Sequence, residues 1–501
     1  MNGIKNSFII IFALIIFVLI IFSSCEKPII TKNPSDKLIF STDTIQFDTI
    51  FTTIGSATKY FTVKNSNTKK TIIVDRIFVA KGSQSKYKLN INGVPTNNVS
   101  NIELAPGDSI FIFVMVNINP GRDEMVEQDS VVFMSNGNTQ DVKLVAFGQD
   151  VHLIDGQVLN NDTTWTATKP FLIYNSALVS NNTTLTIQAG TKIYFHKNSG
   201  LLVNGTIKVN GEVNNRVLFT GDRLEQYYAE IPGQWGTTII SNPQGQTMKI
   251  LGGIYLLSGS KYNEIFNADI KNSMIGLRAD SCVTVDAPTV YLKNVNIENS
   301  QIAGLYAMGA YIIAENCVFA NSGSYNVGCI IGGKYYFIHC TLANFWKGMR
   351  ETPQLLFNNY YKYTDINGLE HVSNRPLELA YFGNCIIDGS KDNEIGIDYH
   401  QTAEMNLVFE NSLIKYKDTA ALKQTGVYLN NIYNKSAEFQ NIMSPYDYQL
   451  EATSPAKDAG KLEISQMYPF DQKGNSRISD EKPDLGAFEF IPINSEKWRK
   501  R

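Results

Sequence analysis

Histidine is scarce in this chain, with five in 501 residues, and charged residues make up only 18%. So few imidazoles argue against His-rich metal centres and against general-base chemistry built on histidine. The net charge of −3 leaves no basic stripe to neutralise a phosphate backbone, which excludes nucleic acid as the expected partner. The sequence also lacks a Ser/His/Asp order, paired His ligands and a phosphate-cradling glycine loop. Aromatic residues, by contrast, are plentiful, with 25 Tyr and 27 Phe, a balance that favours strands and stacking surfaces.

The N-terminus is the most readable segment. Lys5 is followed by Phe8 to Phe22, an uncharged and almost wholly large, apolar run of 15 residues, and then by Ser23-Ser24-Cys25. That run suits a signal-peptide core, whereas a membrane-spanning helix needs about 20 apolar residues. Small residues before a cysteine resemble a bacterial lipobox. The resemblance implies cleavage after residue 24, acylation of Cys25 and a membrane partner reached through two or three acyl chains. Glu26, where aspartate would resemble an inner-membrane retention signal, implies an outer-membrane lipoprotein of the cell envelope. Six cysteines in an exported chain raise the question of disulfides, and acylation of Cys25 leaves an odd five.

Residues 25–37 carry two prolines and read as a tether lifting the first domain off the membrane. Residues 38–150 show about seven short strands with turn clusters Asn-Ser-Asn, Pro-Gly-Asp and Asn-Gly-Asn, as a β-sandwich requires. In the segment opened by Pro106-Gly107-Asp108, alternation sends Ile110, Ile112 and Val114 to one face. The runs FTVKNSNTKKTIIVDRIFV and LAPGDSIFIFV resemble immunoglobulin-like domains of the abnormal-spindle/hydin type; the absence of Trp and Cys here sets the domain apart from antibody domains.

After His152 a different pattern recurs. An Asn or His heads the segments at Asn267, Asn294, Asn316, His339, Asn384 and Asn411, at intervals of 27, 22, 23, 45 and 27. The long interval reads as two rungs, one without the signature. Such a period predicts stacked coils in which each turn covers its neighbour's apolar interior. The head residue belongs at a tight left-handed bend, where asparagines of successive turns can also form ladders. Cys317, Cys340 and Cys385 share one slot and are expected to point inward as small packed hydrophobes. The stretch TLTIQAGTKIYF with Gly233, Trp235 and Gly236 resembles bacterial right-handed β-helix lipoproteins. The segments SPAKDAG, FDQKGNSRI and PDLGAFEF resemble the C-terminal signature of β-helix-repeat surface proteins. Asp458, Asp471, Arg477 and Asp484 are expected there as structural ions in a cap over the solenoid's end.

The expectation is therefore an all-β chain: signal peptide 1–24, tether 25–37, immunoglobulin-like sandwich 38–150, right-handed parallel β-helix (pectate-lyase-like) with cap 151–490, and tail 491–501. Fold alone does not give function. A polygalacturonase-like site needs converging carboxylates, and no Asn-Thr-Asp, Asp-Asp or Gly-His-Gly occurs. A pectate-lyase-like calcium site could draw on Asp388, Asp392, Glu394 and Asp398, although a solvated loop between rungs explains the same acids. No other cofactor is expected. A lyase could use Lys347, Arg350, Asp398 and His400, the first two opening an insertion from Phe345 to Pro376. Trp346, Tyr360, Tyr361 and Tyr363 could stack on sugar faces or pack down on the helix side. The leading expectation is a non-enzymatic, lipid-anchored envelope protein whose β-helix presents a face to carbohydrate or to envelope or matrix partners. The alternatives are a polysaccharide lyase or glycoside hydrolase acting on an acidic polysaccharide, and a purely structural assembly protein.

Overall fold

The computed structural model describes residues 29–492, apart from 53, 120–125, 242–246, 281–286 and 366. The proposed signal peptide, Cys25 and most of the tail from 491 lie outside the described residues. The chain divides into two compact units, Met1–Asp150 and Val151–Arg501.

The first unit is a sandwich of a six-stranded and a five-stranded sheet. In Ser109–Val116 burial alternates strictly: Ile110, Ile112, Val114 and Val116 enter the core while Phe111, Phe113 and Met115 face out. From Ile29 on, the segment read as a tether is part of this domain. Ile29–Thr31 pairs in parallel with Lys70–Ile72, and Leu38–Phe40 pairs with Val63–Asn65. Between them, Asn138 Nδ2 and Asn136 Nδ2 donate to the carbonyls of Pro34 and Asp36, each at 2.9 Å. Pro34 does not prevent this, because it lies outside the paired residues.

The second unit is a parallel β-helix with three faces. Parallel sheets of eleven, nine and ten strands run its length among the described residues, each strand pairing with the equivalent strand one turn on. The first turn is His152–Asp155, Val158–Leu159 and Thr163–Trp165; the next two repeat it in register. Side chains pointing inward form columns, such as the stacked rings Phe337, Phe382, Phe409 and Tyr428 with centroids 4.6 to 5.0 Å apart.

All six repeat heads adopt positive φ, between 46° and 55°. Asparagine tolerates that bend, and the stacked amides bond to one another: Asn294 Nδ2 to Asn267 Oδ1 at 2.9 Å and Asn316 Nδ2 to Asn294 Oδ1 at 3.2 Å. A second ladder runs beside it through Asn272, Asn299 and Ser273, Ser300. Cys317, Cys340 and Cys385 are fully buried in one column. Burial pushes the Cys317 and Cys340 thiols up, away from thiolate reactivity. Trp235 is also core, lying 4.0 Å from Phe195 in a parallel stack.

Two further expectations require correction. The 45-residue interval is a single turn, since Thr341 pairs directly with Ile386. Its length comes from two excursions: a loop after Thr341–Asn344 and a hairpin, Tyr360–Thr364 with Glu370–Asn374, separated by the rung strand Leu355–Asn358. Residues Thr237–Ser241, which directly follow Gly236, leave the rungs and form an antiparallel hairpin with Thr247–Leu251.

The C-terminal segment, finally, lies along the side of the solenoid instead of across its end. Ala437, Phe439, Tyr448, Leu450, Ala487 and Phe488 bury Val318, Ala320, Ala343, Ile386 and Leu413 on the outside of the eleven-stranded sheet. Those outward positions are apolar, so they need a cover, and this segment supplies it. The end itself is closed by the short helix Thr419–Lys423, whose Leu422 enters the solenoid core. Arg477 anchors the strap. Fully buried, it donates to Glu489 Oε1 at 2.8 Å, the Gly486 carbonyl at 2.9 Å and Asn316 Oδ1 at 3.0 Å. Asp471 and Asp484 accept backbone amides, including those of Glu489 and Asp458, and act as structural anions.

Candidate functional site

The residues singled out for chemistry do not converge. Arg350 and Glu394 form a buried bidentate pair at 2.6 and 2.8 Å, with side chains 2% and 0% exposed, so neither reaches a substrate. Lys347 stands exposed on the preceding loop. Asp398 accepts the Tyr360 hydroxyl at 3.0 Å, and His400 Nδ1 lies 2.8 Å from Thr402 Oγ1. The four acids named as calcium candidates do not come together either. Asp388 is buried and receives the Ala437 amide, Asp392 faces Lys417 at 3.3 Å, and Glu394 is committed to Arg350. Burial raises the Asp388 carboxyl above its usual range, as expected of a group with few charged partners. Among the described residues no group of three or more His, Cys, Asp or Glu side chains comes together for an ion.

The aromatic residues separate into two settings. Trp346 is half-buried on its loop. Tyr361 and Tyr363 stack at 5.5 Å on the hairpin and Tyr363 stacks on His371 at 5.2 Å, leaving a small exposed ring platform. Tyr360 is turned away to Asp398, which holds its hydroxyl proton and raises its pKa.

A more developed site lies elsewhere, in a cleft of about 730 Å³ along the eleven-stranded sheet. Its floor is outward residues of two successive rungs, Asp269 and Lys271 on one and Asn296 and Glu298 on the next. Its walls are Arg216, Glu230, Gln472, Lys473 and the tyrosines of the strap hairpin, Tyr446 and Tyr448. Alternation along Tyr446-Asp447-Tyr448 puts both rings on one side, where they lie parallel at 6.2 Å.

The polar floor is internally neutralised. Arg216 Nε meets Asp269 Oδ1 at 3.0 Å, Lys271 lies 3.3 Å from Glu298, and Asn296 Nδ2 bridges to Asp269 Oδ1 at 2.8 Å. Glu298 holds the Lys271 ammonium above its usual value despite substantial burial. Burial likewise raises the Tyr446 and Tyr448 hydroxyls. Such a surface offers fixed hydrogen-bond donors and acceptors beside the flat ring of Tyr446, with the buried Tyr448 behind it. Each carboxylate on the floor is already engaged by a cation. Sequence reasoning missed the cleft because its two sides are some 150 residues or more apart in the chain; only the Tyr-Asp-Tyr alternation was visible.

No family model matches the chain, and no curated protein matches it. Matching solved structures include the periplasmic chaperone SfaE, at 10% identity and a TM-score of 0.16, covering 23% of this chain and 58% of that one. A family 123 glycoside hydrolase from Clostridium perfringens, studied for glycolipid glycan hydrolysis, matches at 6% identity and a TM-score of 0.17. That match covers 23% of this chain and 26% of the hydrolase, so the chain spans less than two thirds of either protein. Likenesses at this level carry no argument about function.

Proposed function

We propose that this chain is a non-enzymatic, lipid-anchored outer-membrane protein of a bacterial envelope, with an immunoglobulin-like first domain and a β-helix that binds a neutral carbohydrate chain. The observation carrying the binding reading is the cleft itself, where the half-buried ring of Tyr446, backed by the buried Tyr448, lines one space of about 730 Å³ with a charge-compensated floor. Sugars present an apolar ring face and hydroxyls at the rim, and rings beside fixed polar groups complement both. A polyanion would have to displace Asp269 or Glu298 from its cation, which favours an uncharged ligand.

A glycan array probed with the full chain, followed by calorimetry, tests this. Neutral oligosaccharides should bind, and Tyr446→Ala should weaken binding about tenfold, the scale of one aromatic contact. A folded protein that binds no glycan, or that binds equally well without Tyr446, refutes the reading. The anchor rests on Phe8 to Phe22 followed by Ser23-Ser24-Cys25. Mass spectrometry of the N-terminal peptide should find acyl chains on Cys25, and Cys25→Ser should release the chain from the membrane fraction.

A further inference from the structure

The outer face of the five-stranded sheet in the first unit is apolar and uncovered. Tyr60, Phe111, Phe113 and Met115 are 59%, 45%, 38% and 41% exposed. Tyr60 pairs in register with Phe113, and the three rings lie within 5.8 to 6.2 Å of one another, forming one continuous patch. Ile39, 52% exposed, extends it along the neighbouring strand. The flanking outward residues include Lys64 and Lys88, and no outward position of these strands carries a carboxylate. Isolated apolar residues on a surface are ordinary, but a contiguous aromatic patch whose charged neighbours on these strands are all lysines is not.

The route of the chain bears on what covers it: the first described strand, Ile29–Thr31, lies at the edge of the opposite, six-stranded sheet, and the chain then passes to Leu38–Phe40 at the edge of the five-stranded sheet itself. Ile29 already belongs to a strand of this domain, pairing with Lys70, and Leu38 pairs with Asn65. Only three residues lie between Cys25 and Ile29, four residue steps with a reach of at most about 14 Å. Resting on the lipid-anchor reading above, this places the domain directly at the bilayer with no spacer, so any bilayer contact is made at high effective concentration. Aromatic rings edged by lysines suit the headgroup region of an anionic membrane, the rings entering the interface and the ammonium groups meeting phosphates.

We propose that this sheet face, centred on Tyr60, Phe111 and Phe113, docks on the surface of an anionic phospholipid bilayer.

The test is side-chain oxidation by a pulse of hydroxyl radicals. Full chain attached to vesicles of phosphatidylethanolamine and phosphatidylglycerol is compared with full chain carrying Cys25→Ser in solution. Oxidation of Tyr60, Phe111, Phe113 and Met115 should fall at least about fivefold on vesicles, while Met349 and Tyr227, 95% and 78% exposed, should react as before. The double variant Phe111→Asp, Phe113→Asp should stay attached yet regain oxidation at Tyr60 and Met115. Unchanged reactivity of the face in attached chain overturns the proposal. So does protection in solution that grows with protein concentration, since a second copy then covers the face. If the chain does not attach and its N-terminal peptide carries no acyl mass, the anchor reading fails separately. Titrating vesicles onto the soluble chain then decides the face alone: protection supports docking and its absence overturns it.

Discussion

Replacing Arg477 with methionine should loosen the C-terminal strap without unfolding the solenoid. The guanidinium is fully buried and holds Glu489, the Gly486 carbonyl and Asn316 of the ladder together. Removing one partner of a buried ion pair costs about 3–5 kcal/mol, chiefly because the other charge is stranded. The lower end applies here. Glu489 still accepts the Asp484 amide at 3.0 Å, and burial already lifts its carboxyl to about 7, so it can take up a proton rather than remain a stranded charge. A loss of about 3 kcal/mol raises the strap's opening equilibrium by roughly a hundredfold. Amide hydrogen exchange reads that opening. The Gly486 and Ala487 amides, bonded to the Asn384 carbonyl and Thr341 Oγ1, should exchange about a hundredfold faster. Amides of Thr184–Gln188, far along the solenoid, should not change. Removing both charges with Arg477→Met and Glu489→Leu should restore most of the protection, because no ion is then stranded. Exchange in the single variant within about threefold of the parent protein would refute the assignment of Arg477 as the strap's anchor.

His339→Asn should change the acid sensitivity of the fold. His339 occupies an asparagine slot at φ 50° and is fully buried, and burial together with Arg477 holds its pKa well below 6.5. The folded chain therefore resists a proton that the unfolded chain accepts, so stability present above pH 6.5 is lost as pH falls below it. For one such group that loss reaches about 2 kcal/mol at pH 5, and the asparagine variant should lack it when denaturation at pH 5 and 7.5 is compared. An unchanged difference between the two pH values would refute this. Gly205→Ala should destabilise by about 1–3 kcal/mol in thermal or chemical denaturation, because the new Cβ would run into the backbone carbonyls of Thr183 and Ser180 on the preceding turn. Tolerance without a shift would mean the turns can separate locally.

Much of the solenoid was legible because its determinants are local and repeated. The left-handed bend at Asn267, Asn294 and their equivalents is a property of single residues, and the inward cysteine slot follows from strand alternation. The sandwich was legible for the same reason, through strict alternation in Ser109–Val116. The proposed chemistry at Arg350, Asp388 and Glu394 was misread because a charge in sequence says nothing of its partner. Burial against Lys391, Gln354 and Ala437 decided their roles.

By itself, then, the sequence determined periodicity: which residues alternate, which bend, and that successive turns must stack to cover apolar side chains. Tertiary structure alone decided the rest. It placed Ile29–Thr31 inside the sandwich, made the interval from His339 to Asn384 one turn, and laid the strap along a flank so that Tyr446 and Tyr448 face a floor built from residues 269–298. The physical reason is that these arrangements depend on contacts between segments far apart in the chain. Their free energy comes from covering particular apolar patches and pairing particular buried charges, which no local pattern encodes.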